Sequence, residues 1–204
     1  MREGQIITTH KEMDAILQEL KWPGVRVDSS EFGELPVHER LHQLAIGYLS
    51  SAKSLCTELG ENPALLSWPR ASVVCFCFRH AVELFLKSCI LYRIREIQKC
   101  SHDIASLRKQ YLGLYPGPAF FFQLPMWWSL SDEDMEHLGM GKGDLQDFEK
   151  SHDQVYRYLA DKQGRSPKGL YNFGPGAWLW MIEQFEKDID RIWVNIINNF
   201  RPNS

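Results

Sequence analysis

The sequence predicts an all-α protein: a helical bundle built on a long antiparallel helix pair and closed by a C-terminal helix. Three stretches carry that expectation. Residues 37–59 and 175–200 repeat apolar side chains at three- and four-residue spacing, and Val73–Leu91 between them is apolar almost all the way round. At 204 residues, 44% hydrophobic and 24% charged, the chain has the length and composition for one sizeable core. The organisation expected is an N-terminal helix and linker over 1–36, followed by the bundle over 37–204.

Taken in order, THKEMDAILQELK (9–21) reads as a short helix capped by Thr8 or Thr9, with Met13, Ile16, Leu17 and Leu20 on one face. Trp22–Pro36, rich in Gly, Pro and Ser, reads as a loop. From Val37 to Leu59 the apolar positions Leu41, Leu44, Ala45, Tyr48, Ala52, Leu55, Cys56 and Leu59 define a helix, with Gly60 where a C-cap glycine belongs. After Pro63 and Pro69 the central helix is expected from about Arg70 to Lys99. A short connection makes the two an antiparallel pair. Ser101 or Asp103 can cap a third helix over Ile104–Tyr111, ended by Gly113 and Pro116. The loop that follows, PGPAFFFQLPMWWSL, has no Lys or Arg. Its Phe120, Phe121, Phe122, Trp127 and Trp128 are therefore expected to cover the core rather than to stack bases, which would need rings beside basic groups. Ser131 caps a brief acidic helix. Tyr156–Leu159 and Leu170–Phe173 can pair as a small hairpin across a polar turn. The last helix, from about Pro175, places Trp178, Met181, Ile182, Phe185, Ile189, Trp193, Ile196 and Ile197 on its main face, with Trp180 and Ile192 off it.

The central helix carries the chemistry. At roughly 100° per residue, Arg79, Glu83, Lys87 and His80 fall within one quadrant, a charged seam on an otherwise apolar helix. Four ionisable groups near the centre exclude a membrane span, each costing about 2.5–3.5 kcal/mol there. The plain reading of the seam is an ion ladder, since Arg79–Glu83 and Glu83–Lys87 are i, i+4 pairs. A net charge of −3 argues against a general binder of phosphate backbones and leaves room only for a local site. Cys56, Cys75, Cys77, Cys89 and Cys100 include no Cys-x-x-Cys pair and mostly take apolar helical positions. With no apolar run of signal-peptide length at the N-terminus, they fit a reducing cytoplasm.

A second motif, His38-Glu39-Arg40-Leu41-His42, has the spacing of the zinc-protease signature H-E-x-x-H, two imidazoles a turn apart with a Glu to act as base. It sits in the first turn after Pro36, on the flank of the apolar stripe and with Arg40 between the histidines. It is the weaker alternative, and no metal is expected.

Arg79-His80-Ala81-Val82-Glu83-Leu84-Phe85-Leu86-Lys87, then Ser101-His102-Asp103-Ile104 with Leu107, then Val155-Tyr156-Arg157-Tyr158 with Asp161 resemble, in that order, motifs of the HEPN superfamily. The resemblance implies a helical bundle that forms a homodimer, handles RNA or nucleotides, and serves a toxin–antitoxin, abortive-infection or other antiviral defence system with a protein partner, without a cofactor. It also implies one polar cleft. His80 or His102 would serve there as acid or base, Glu83 would orient the cations, and Arg79, Lys87, Asp103, Arg157 and Tyr158 would bind substrate or phosphate. The Arg-x4–6-His pair of HEPN ribonucleases is missing from its usual helix, since the last helix has Arg191 and no His; Arg95 and His102 have the spacing but lie elsewhere. A catalytically silent, partner-binding or antitoxin-like module is the rival expectation.

Overall fold

In the computed structural model the described residues are 30–94, 102–122 and 173–200. The protein is all-α, with five α-helices and no strand among those residues. Two compact units divide the chain, Met1–Leu35 and Pro36–Ser204. In the first, Ser30–Glu34 forms a single helical turn, α1, inside the stretch expected to be loop. Pro36 follows it, and a proline disfavours helical geometry at the residue before it. The expected helix over 9–21, the brief helix after Ser131, the hairpin over 156–173, and Trp127 and Trp128 lie outside the described residues.

The second unit opens with α2, Val37–Glu61, whose Ala45, Leu49, Ala52, Cys56 and Leu59 are buried at alternating spacings of four and three residues. The helix runs through Gly60 and is capped by Asn62, whose N–H bonds the Glu58 carbonyl at 3.0 Å. Gly60 is thus not a left-handed cap. It faces the start of the last helix, where a Cβ would stand 3.5 Å from that of Pro175. A 3-10 turn, Pro63–Leu65, leads into α3, Trp68–Ile94, which starts two residues earlier than expected. Pairings at both ends make α2 and α3 antiparallel: Glu58 meets Arg70 at 3.6 Å, and the rings of His42 and Phe85 lie 6.3 Å apart. Sixteen side chains of α3 are buried, as an apolar surface on nearly all sides requires.

Helix α4, Ile104–Leu114, passes through Gly113 and is capped by Asp103, which accepts from the Ala105 and Ser106 N–H groups. Buried Tyr111 and Tyr115 donate their hydroxyls to the Phe120 and Cys89 carbonyls at 2.6 and 2.8 Å, pinning the following segment to α3. Phe120 and Phe122 enter the core; Phe121 stays half exposed. Helix α5, Pro175–Asn199, buries Trp178, Ile182, Phe185, Ile189, Ile192 and Ile196. Ile192 belongs to the core and Ile197 is 51% exposed, the reverse of the expected assignment. At the centre Phe85 meets Tyr111, Phe122 and Phe185 with ring centroids 5.7–6.5 Å apart.

Candidate functional site

Glu83 sits mid-way along α3 with its side chain 1% exposed. A carboxylate so buried is tolerated only with counter-charges and hydrogen bonds, and the fold supplies both. Lys87, one turn on, donates from Nζ to Glu83 Oε1 at 2.6 Å. His102 places Nδ1 3.0 Å from the same oxygen. His80 Nδ1 lies 3.7 Å from Oε2. The helix alone brings His80 and Lys87 to Glu83. His102 comes from the segment ahead of α4, and the Asp103 cap that starts α4 fixes where that segment stands, with Ser106 Oγ donating a further 2.6 Å bond to Asp103 Oδ2.

The seam is interior rather than an open face of the helix pair. Arg79 and Glu83 are essentially inaccessible and Lys87 is 11% exposed, so a solvated ladder is not what the seam forms. Arg79 lies close enough to the Cys75 thiol for its charge to pull against the burial that pushes that thiol up. Only the histidines reach outward, His80 at 22% and His102 at 53% exposure. With Nδ1 of His102 protonated and donating to Glu83, Nε2 keeps its lone pair. That is the arrangement of an imidazole base oriented by a carboxylate.

His80, Glu83, Lys87 and His102 therefore meet around one carboxylate, with Arg79 one turn away on the same helix. Asp103, expected to bind phosphate, spends its oxygens on the N-terminus of α4. Arg157 and Tyr158 lie outside the described residues, as does their expected approach to Glu83 or Asp103. Tyr48 of α2 was not foreseen: its ring meets that of His80 edge-on, centroids 4.6 Å apart. Nothing in the sequence marks it, because a tyrosine on an apolar stripe reads as core.

No known family, curated protein or solved structure matches this chain. The HEPN likeness stands on the three motifs alone. Arg191, the one arginine of the last helix, is a clip: it donates to the Ala119 and Phe121 carbonyls and to Asp188 Oδ1, the last at 2.7 Å.

The His38–His42 pair is engaged in packing. The His42 ring stacks on Trp193 at 4.1 Å and 11°, and His38 meets Tyr92 edge-on at 5.2 Å. Burial pulls His42 down to about 4 from its ordinary 6.5. Among the described residues no three His, Cys, Asp or Glu side chains gather at metal-binding spacing, and no helix is long and apolar enough to cross a membrane. A cavity of about 420 Å³ opens at the end of α4, lined by Leu112, Tyr115, Pro116, Gly117, Pro118 and Phe121. None of the seam residues lines it.

Proposed function

We propose that this protein is a HEPN-like helical domain that handles RNA or a nucleotide in a cytoplasmic toxin, abortive-infection or other defence or stress system. The observation that carries the reading is the 3.0 Å contact between Glu83 Oε1 and His102 Nδ1, on a histidine half open to solvent. In this reading His102 is the acid or base, Glu83 orients it, and Lys87 with Arg157 and Tyr158 holds phosphate. The test is cleavage of structured RNA, and turnover of nucleotides, by the full chain and by His102→Ala, Glu83→Gln and His80→Ala. A positioned acid or base is worth about 10²–10⁴ in rate, so His102→Ala should all but abolish turnover at an unchanged melting temperature. His80→Ala, whose ring is held by its neighbours, should lose less. Wild-type protein that neither cleaves nor binds RNA or nucleotide sinks the reading.

One observation favours the rival. Arg79, Glu83 and Lys87 are interior, as a structural ion network would have them. A partner-binding or antitoxin-like module then follows, and its mark is opposite: seam substitutions lower the melting temperature and leave no activity to lose.

A further inference from the structure

We propose that the cavity at the C-terminal end of α4 binds a small organic acid, its apolar body against Phe121 and its carboxylate on the guanidinium of Arg108. The site shares no residue with the Glu83–His102 cluster, so the inference stands apart from the RNA or nucleotide reading above.

The walls come from local sequence. Tyr115 ends α4, and Pro116-Gly117 carries the chain into the 3-10 turn Pro118–Phe120, with Gly117 at φ 115°, in the left-handed region that favours glycine. A Cβ there would meet nothing within 4 Å, so open space stands over this backbone. Leu112, Pro116, Pro118 and the half-exposed Phe121 complete an apolar hollow of about 420 Å³, inside the range of about 300–1,000 Å³ usual for small-ligand sites. Its frame is fixed. Tyr111 and Tyr115 donate to the Phe120 and Cys89 carbonyls, and Arg191 of α5 donates to the Ala119 and Phe121 carbonyls. Walls held from both sides lose little freedom when a ligand enters.

Apolar walls alone name no ligand; Arg108 does. It precedes Leu112 by four residues and Tyr115 by seven, which places it on the pocket-bearing side of α4, and its Cζ lies 6.0 Å from the centroid of the Phe121 ring. The ring meets only part of its need. Nε of Arg108 is buried without a hydrogen-bond acceptor, and among the described residues no carboxylate pairs with the guanidinium. Arg191, the other cation at this segment, already holds Asp188 and two carbonyls. A buried N–H without an acceptor and a charge without a counter-ion both favour an anion here. One guanidinium beside uncharged walls matches one negative charge, and its planar fork matches a carboxylate. A phosphate monoester, with a second charge, would leave that charge uncompensated against Leu112 and Phe121. An aryl or branched-chain carboxylic acid suits both halves of the site.

The experiment follows the backbone N–H signals of the full chain by two-dimensional NMR during titration with phenylpropionate and, separately, with its uncharged analogue phenylpropionamide. Phenylpropionate should shift the signals of Gly117 and Phe121 at millimolar concentration or below. Phenylpropionamide should bind about 10-fold or more weakly, the loss expected when a charge-assisted hydrogen bond is removed. Arg108→Gln should bring the acid down to the affinity of phenylpropionamide, while Phe121→Ala should weaken both ligands alike. Equal affinity of wild type for the two ligands overturns the proposal. So do shifts confined to other parts of the chain, or none in millimolar acid. Should Arg108→Gln fail to fold, the wild-type comparison of acid and uncharged analogue decides alone.

Discussion

Glu83 shows how one residue sets the terms for its neighbours. Its oxygen Oε1 takes both Lys87 and His102, and the carboxylate has no route to water. Removing the closest cation leaves that charge poorly compensated, a loss on the order of 3–5 kcal/mol. Lys87→Met should therefore lower the denaturant midpoint sharply, and Glu83→Gln in the same chain should restore part of the loss. A midpoint unchanged by Lys87→Met would show the pair to be solvated after all. His42 gives a second residue-scale prediction. Its folded pKa is depressed, to about 4, so the unfolded chain binds the extra proton first as pH falls below 6.5. Stability contributed by neutral His42 is complete above 6.5 and is lost progressively towards pH 4. His42→Phe, which keeps a ring on Trp193, should flatten the fall in melting temperature over that window. His38, also lowered by burial, leaves a smaller slope of the same sign. The seam was legible in the sequence because i, i+3 and i, i+4 spacing dictates it. That it is interior was not, because a helical wheel says which residues share a face and nothing of what covers that face.

At the scale of elements, α3 was legible because an all-round apolar helix has nowhere to go but the centre. Glycine signals misled in two places. Gly60 and Gly113 both lie inside helices, since Asn62 and Tyr115 provide the terminating geometry two residues later in each case. The C-terminal helix shows how strictly the wheel must be read. At about 100° per residue Ile192 lies about 40° from the centre of the stripe set by Trp178, Phe185, Ile189 and Ile196, and Ile197 about 100° from it, so the period itself separates them: Ile192 is fully buried and Ile197 half exposed. Ile192→Ala should cost about 2–5 kcal/mol, while Ile197→Ala should stay within about 0.5 kcal/mol of wild type. Equal losses in urea denaturation would contradict the core described for α5. Asp103 belongs to the same lesson. Its place before Ile104 announced a helix cap as clearly as a ligand, and the capping bonds show the cap.

For the molecule as a whole, what the bundle leaves uncovered points to its assembly. Trp180, Val194 and Ile197 of α5 are 57%, 56% and 51% exposed, large apolar side chains on the helix whose opposite face closes the core. Scattered apolar residues on a surface need no explanation, but three of this size on one closing helix invite a partner surface. A second copy of the chain is the economical partner, because a two-fold axis lets the same face serve both sides. The expectation is a homodimer through α5, whose mass by light scattering is about twice the 23.8 kDa of the chain. Trp180→Lys with Val194→Lys should return the monomer while sparing the fold, since neither side chain belongs to the core. A wild-type monomer at high protein concentration would remove the dimer. It would also confine any RNA or nucleotide chemistry to residues of a single chain, which makes the Glu83–His102 contact the pair to test first.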